Sequence, residues 1–365
     1  MPPRKDLIFR HFSEVSYSSG EFQFNARINN LGFRGRDFSI EKSTRYRIVA
    51  LGDSFTYGWG VNIEDTWLEI LQKSLRASGK DVEMANLGKG GGSPIQYADI
   101  AEKAIPLLKP DLVIVAVLQG DDLAQIRLAA ERRRQNSSAQ SQGTRAEGFA
   151  GTLKAIVATA YPNLSDLLRG ALPPGADEVS LTWRDQAEGI RNSLPEDEMK
   201  RFNDIDAEPK NMFLAGKLNP ALISYAMKWP YWLRRPLDLL DPENQEAIQE
   251  LSDYLLRIKA VTEECGGRVF VISVPVGAYV SEAQVKSRER MGFDDDKNSL
   301  KTTAMDEATH LAAVKAGIDF FEVTQIFRRE SLRRDLYYEF DGHFTPEANR
   351  FFAERIEPIV LEYLR

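Results

Sequence analysis

The stretch Val49–Gly60, VALGDSFTYGWG, decides how this chain is read. An apolar run that starts near Tyr46 stops at Gly52, and Asp53 and Ser54 follow at once. A glycine at the end of a buried strand marks a sharp turn or a close approach of another segment. A serine just past such a strand is placed to face a cleft.

Outward from this point the pattern repeats. YRIVALG (46–52) is followed by a helical stretch over 64–77, then VEMANLG, a helix over 95–108, and DLVIVAVL entered through Lys109-Pro110. Strand-like runs resume with GRVFVISVP (267–275), a helix over 301–316, GIDFFEV and a last helix over 346–364. Apolar strands alternating with helices predict an α/β fold, a parallel sheet covered on both faces. Residues 124–245 break the rhythm with the polar run ERRRQNSSAQSQGTR and then helical pieces punctuated by Pro162, Pro173-Pro174, Pro195, Pro209, Pro220, Pro230 and Pro236. This reads as a long helical insertion with a flexible lead-in, set over the active face as a lid or cap. Ahead of the core, residues 8–36 alternate apolar and polar around Ser18-Ser19-Gly20, a short β-hairpin read as an appendage. The expected organisation is therefore a hairpin extension over 1–44, a core over 45–123 and 246–365, and the insertion over 124–245.

Composition narrows the function. With 365 residues and 43% apolar content the chain can bury a full core. A net charge of −7, from 47 basic and 54 acidic side chains, does not favour phosphate backbones or anionic lipid, so neither nucleic acid nor a membrane surface is an expected partner. The basic run Arg132–Arg134 reads as a solvated helix end rather than a phosphate site. Cys265 is the single cysteine, which excludes an internal disulfide and a cysteine-rich metal site; between a helical stretch and a Gly-Gly turn it reads as a packing residue. The start MPPRKDLIFRHFSEV lacks the apolar stretch of a secretion signal, and no later segment reaches about 18 uninterrupted apolar residues, so the expected location is cytoplasmic.

Chemistry concentrates in four segments: GDSFTYG (52–58), NLGKGGGSP (86–94), LQGDDL (118–123) and FDGHFTPEANR (340–350). Acyl transfer from an ester needs a nucleophile, a base, a group that orients the base, and donors for the developing oxyanion. Ser54 can be the nucleophile. His343, in a glycine-containing loop ahead of a helix, is the natural base, with Asp341 two residues away to orient it. Of the other histidines, His11 belongs to the hairpin and His310 to the surface of a charged helix. Glycines 88, 90, 91 and 92 let the backbone approach a substrate and donate an N–H. Two rival readings are a turn without a ligand and a phosphate cradle, and the latter lacks the following Gly-Lys-Ser/Thr. Asp53 is read as a loop-shaping side chain that bonds nearby backbone, and as a substrate contact beside Ser54. Phe55 and Tyr57 line the pocket or pack beneath it. In MKWPYWLRRP (227–236), Trp229, Tyr231 and Trp232 offer a stacking surface for a sugar or acyl chain, or, the preferred reading, aromatic anchors fastening the lid to the core.

The four segments, in this order and spread over nearly the whole chain, resemble the blocks of the SGNH (GDSL) hydrolases, and NNLGFRG (29–35) resembles the leader of a bacterial subgroup. The resemblance implies a flavodoxin-like three-layer α/β/α sandwich with five parallel strands in the order 2-1-3-4-5. It implies a triad of Ser54, His343 and Asp341, and an oxyanion hole from the Ser54 N–H, from Gly91 with Gly88 and Gly90 as alternatives, and from position 121. Neither a metal nor an organic cofactor is implied. One departure stands out: the third block usually reads Gly-Asn-Asp, and here it is Gly120-Asp121-Asp122. An ionised acid beside a forming oxyanion raises the barrier, and loss of one donor costs on the order of 3 kcal/mol. Asp121 is then protonated and donating, or turned away, or the mark of a weakened site. The expected function is a serine esterase acting on O-acyl esters, with a short acyl group on a sugar or small metabolite, through an acyl-serine intermediate. The alternatives are an acyltransferase using the same triad under a water-excluding lid, and a catalytically impaired carbohydrate-binding or scaffold protein. Acyl length, alcohol and oligomeric state stay open.

Overall fold

A computed structural model describes residues 14–142, 182–295 and 297–365. The N-terminal basic stretch, His11, Pro162 and Pro173-Pro174 lie outside the described residues. Strands β1 (Glu14–Ser18) and β2 (Gln23–Arg27) pair antiparallel, and alternation along β2 buries Phe24 and Ala26 while Gln23, Asn25 and Arg27 face outward.

Five further strands, β3 (Tyr46–Gly52), β4 (Val82–Gly88), β5 (Leu112–Leu118), β6 (Arg268–Val274) and β7 (Asp319–Phe321), form one parallel sheet in the order β4-β3-β5-β6-β7. Counted within the sheet this is the expected order 2-1-3-4-5. All seven residues of β5 are buried, as a central parallel strand covered on both faces requires.

Helices α1 (Ser54–Tyr57), α2 (Trp67–Ala77), α3 (Pro94–Leu108) and α4 (Asp121–Gln142) follow the first three sheet strands. Then come α5 (Trp183–Ser193), α6 (Glu196–Asp204), α7 (Ala207–Leu214), α8 (Pro220–Lys228) and α9 (Pro242–Glu264). The chain closes with α10 (Glu282–Arg290), α11 (Ala304–Ala316), α12 (Thr324–Glu330) and α13 (Pro346–Tyr363). Successive β3 side chains point to opposite faces: Val49 and Leu51 enter a core with α3, α9 and α11, while Ile48 and Ala50 enter one with α2 and α13. In α2 the buried Trp67, Leu68, Leu71 and Leu75 form the stripe that a helix lying on a sheet presents.

Strand β3 stops at Gly52 for a steric reason. A Cβ there would lie 2.2 Å from Thr56 Oγ1 and 2.9 Å from the carbonyl oxygen of Ala116, so only glycine lets α1 fold back over the end of β3.

Two expectations need correction. The polar lead-in to the insertion, expected to be flexible, is helical as far as the structure describes it: α4 runs unbroken from Asp121 to Gln142. Its first turns bury Leu123, Ile126 and Ala130. Further along, Arg133 pairs with Glu250 and Arg134 with Glu246 at 2.9 Å, each arginine about half exposed, so the basic run is a solvated face as expected, but lies inside a helix beside α9 rather than at a helix end. Exposed ion pairs of this kind carry no apolar periodicity, which is why the helix is invisible to pattern reading. The hairpin is also more than an appendage, because it reaches the site described next. Cys265 packs against the α3–α9–α11 core and His310 stacks on Phe320 at 5.2 Å from an exposed position, both as expected.

Candidate active site

The carboxyl ends of β3 and β5 and the loop before α13 converge on one cavity of about 100 Å³. Asp53 stands at the end of β3, and its Oδ1 accepts the Phe55 backbone N–H at 3.0 Å, capping α1 and fixing the turn that presents Ser54. The loop 340–345 brings the other partners, turning at Gly342 with φ of 76° before Thr345 caps α13 through the Ala348 N–H.

Within this cavity Ser54 Oγ lies 2.7 Å from His343 Nε2, and His343 Nδ1 lies 2.5 Å from Asp341 Oδ1. All three side chains are buried: Ser54 is 4%, Asp341 5% and His343 7% exposed. Ser54 Oγ also lies 3.3 Å from Asp53 Oδ2, but a hydroxyl has one proton and the 2.7 Å contact to the imidazole is much the better acceptor geometry. The Phe55 ring packs on the imidazole with centroids 4.8 Å apart.

Two residues that pattern reading passed over hold this arrangement. Trp59 Nε1 donates to Asp341 Oδ2 at 3.3 Å, occupying the carboxylate oxygen that His343 does not use. Glu21, from the turn of the N-terminal hairpin, accepts the backbone N–H groups of Phe340 at 3.0 Å and Asp341 at 2.8 Å, one on each carboxylate oxygen. Trp59 itself packs among Tyr17, Phe22 and Phe24 of the hairpin. Trp59 lies inside the opening stretch, so its aromatic character was visible there; for Glu21 nothing in the local sequence signals the contact. In NNLGFRG, the wholly enclosed Arg34 donates to the carbonyls of Tyr57 at 2.9 Å, Val61 at 2.5 Å and Gly58, tying that segment to the turn after α1.

Of the glycines in the second segment, Gly91 lines the cavity, in a left-handed conformation with φ of 64° that favours glycine; Gly88 and Gly90 do not line it. No hydrogen bond among the described residues engages the backbone N–H of Ser54 or Gly91. Asp121 lines the cavity too, and both its carboxylate oxygens accept hydrogen bonds, Oδ1 from Trp232 Nε1 at 2.6 Å and Oδ2 from Gln125 Nε2 at 2.5 Å. Leu222, Leu233, Val276 and Phe340 complete an apolar wall.

The aromatic expectations divide. Trp232 reaches the cavity, whereas Trp229 packs behind it against Tyr225, with ring centroids 5.3 Å apart, and lines a separate cavity of about 20 Å³. Tyr57 is turned away among the hairpin aromatics under the Arg34 guanidinium, 4.9 Å from its ring, because the short α1 sends alternate side chains to opposite sides. Asp53 is 2% exposed, caps its own turn through the Phe55 N–H and also stands in the wall of the cavity.

Charge in the site is dominated by buried acids. Burial, and then the nearby Asp121 charge, push the Asp53 carboxyl up to about 7. Burial raises Asp121 as well, against the opposing pull of its Trp232 and Gln125 donors. Asp122, which accepts the Leu118 N–H at 2.9 Å and the Tyr97 hydroxyl at 3.0 Å, is raised further by burial and by its two acidic neighbours. For His343 burial is the largest single influence and works against the imidazolium, but the charge and hydrogen bond of Asp341, with Asp53 and Asp121 behind them, outweigh it and raise the pKa above 6.5.

Among the described residues no helix is long and apolar enough to cross a membrane, and no group of three or more His, Cys, Asp or Glu side chains is placed to hold a metal ion. No protein-family model matches the chain, and no curated protein does. Among solved structures it is similar to TesA (11% identity over 87% of this chain and 99% of that one, TM-score 0.41) and to an acetyl xylan esterase (10% identity over 86% and 99%, TM-score 0.40). It is also similar to the lipase/acylhydrolase from Enterococcus faecalis, at 10% identity over 86% of this chain and 95% of that one, with a TM-score of 0.40. Likeness at this level leaves the chemistry to be read from this chain's own side chains.

Proposed function

We propose that this chain is a serine esterase of the SGNH type that cleaves short O-acyl esters through an acyl-serine intermediate. The observation that carries the reading is the continuous line of contacts from Ser54 Oγ to His343 Nε2 at 2.7 Å and from Nδ1 to Asp341 at 2.5 Å, inside a cavity. Ser54 Oγ attacks the ester carbonyl while Nε2 takes its proton, and the Ser54 and Gly91 N–H groups receive the oxyanion. The imidazolium then protonates the leaving alkoxide. Water, deprotonated by the same nitrogen, attacks the acyl-serine, and as the acid leaves the imidazolium returns that proton to Ser54 Oγ. Asp341 keeps the Nδ1 proton in place throughout.

A cavity of about 100 Å³ has room for an acyl group of a few carbons, since on the same measure a single water needs roughly 10–15 Å³. The test is direct: the protein should hydrolyse p-nitrophenyl acetate and take up one fluorophosphonate label, located on Ser54 by peptide mass. Absence of both overturns the reading. A transferase using the same three side chains is the second reading, favoured by the insertion residues Leu222, Trp232 and Leu233 in the wall of the cavity; turnover that requires an added acceptor alcohol marks it.

The working base is neutral His343, and a raised pKa keeps the imidazole protonated to higher pH. Activity should therefore be lost on acidification with a midpoint above 6.5, falling about tenfold per pH unit below it. A kcat/KM profile from pH 5 to 9 checks this, and a midpoint clearly below 6.5 contradicts the arrangement. Glu21→Ala releases two backbone N–H groups of the loop that carries Asp341, and small displacements of reacting groups are costly. The expected result is a kcat lower by roughly 10- to 100-fold, with KM within about threefold and labelling of Ser54 slowed in proportion.

A further inference from the structure

We infer that Asp121 is a latch that holds Trp232 as the end wall of the acyl cavity, making this pair the determinant of acyl length. The inference rests on the esterase reading for its substrate, though not for the latch itself. Trp232 belongs to the segment between α8 and α9, 111 residues along the chain from Asp121, and its indole N–H donates to Asp121 Oδ1 at 2.6 Å. A second tie docks the same segment, the buried Tyr279 hydroxyl donating to the Leu233 carbonyl at 2.5 Å. The Trp232 ring stands in the walls of two cavities, the one that holds Ser54 and the smaller one behind it lined by Ala124, Leu128 and Trp229. Swinging the ring out of place joins the two spaces and lengthens the room beyond the acyl carbonyl.

The donor arrangement also explains an acid at this position. Two N–H groups converge on Asp121, one on each oxygen, and a carboxylate accepts on both. An ionised acceptor strengthens such bonds about twofold over a neutral one. With both oxygens accepting hydrogen bonds, Asp121 serves Trp232 and Gln125 rather than the oxyanion. Asparagine keeps one oxygen for Trp232, and Gln125 can turn its amide over to accept from the new NH2, so Asp121→Asn weakens the latch without opening it. Asp121→Ala and Trp232→Phe each remove one half of the bond.

The test compares wild type, D121N, D121A and W232F by two measurements. The first is the ratio of kcat/KM for p-nitrophenyl octanoate to that for the acetate. It should rise about tenfold in D121A and W232F and stay within about threefold of wild type in D121N. The second is backbone hydrogen exchange over residues 229–235, which reads the latch without any activity and should quicken at least tenfold in D121A and W232F. W232F keeps the ring and is the gentler variant if D121A folds poorly. An unchanged exchange rate in W232F overturns the latch. An unchanged ester ratio overturns the acyl-length role, and a loss of 10²–10³ in acetate turnover in D121A with W232F like wild type makes Asp121 an oxyanion donor instead. A wild-type protein that takes no label on Ser54 overturns the esterase reading, while exchange still decides the latch.

Discussion

Ser54→Ala should reduce ester turnover by roughly 10⁴- to 10⁶-fold and abolish fluorophosphonate labelling, with little change in thermal stability. The Oγ is the only atom lost. It lies 2.7 Å from the imidazole, and the turn that presents it is capped by Asp53 through the Phe55 N–H rather than by the serine hydroxyl. Residual activity above the uncatalysed rate is expected, because the Ser54 and Gly91 N–H groups still bind and polarise the ester. The check is steady-state hydrolysis of p-nitrophenyl acetate beside a thermal melt. A variant within tenfold of wild type ends the acyl-serine proposal.

Asp341→Asn should cost on the order of 10³- to 10⁴-fold in kcat, the fold again intact. Here the structure supplies the reason. Trp59 Nε1 donates to Oδ2, so an asparagine must turn its oxygen toward Trp59 and its NH2 toward His343 Nδ1. An amide donating to Nδ1 forces the imidazole proton onto Nε2, and the base can then no longer accept from Ser54. Adding Trp59→Phe frees the asparagine to turn over, and the double variant should recover at least tenfold of the loss. Kinetics of the two single variants and the double variant read this out; no recovery means that Trp59 does not set the orientation.

Much of this was legible from the chain alone, and the parts that were share a feature. The strands over 46–52 and 112–118 are buried on both faces, so their apolar runs are continuous and their glycine and proline borders sharp. The helical pieces of the insertion begin where their prolines allow, Pro220 standing in the first turn of α8. By contrast the lead-in over 124–142 was read as flexible, with a helix end at Arg132–Arg134, because beyond Ala130 α4 is held by Arg133 and Arg134 on the glutamates of α9, and ion pairs leave no periodic trace. Asp121 was visible as a departure from the asparagine of the family pattern, but its partners were not.

By itself the sequence determined the strands of a parallel sheet and which hydroxyl, imidazole and carboxylate stand in the loops that follow them; the order of the strands was implied only by the resemblance to the SGNH hydrolases. The strands and loops follow from burial and turn chemistry, both written in neighbouring residues. Only the tertiary structure decided what holds that site: Glu21 on the loop before His343, Trp59 on Asp341, Arg34 under the first turn, and Trp232 on Asp121. Each is a hydrogen bond between groups brought together by packing. Periodicity tells which side of an element is buried, and carries no information about which distant polar group it will meet there.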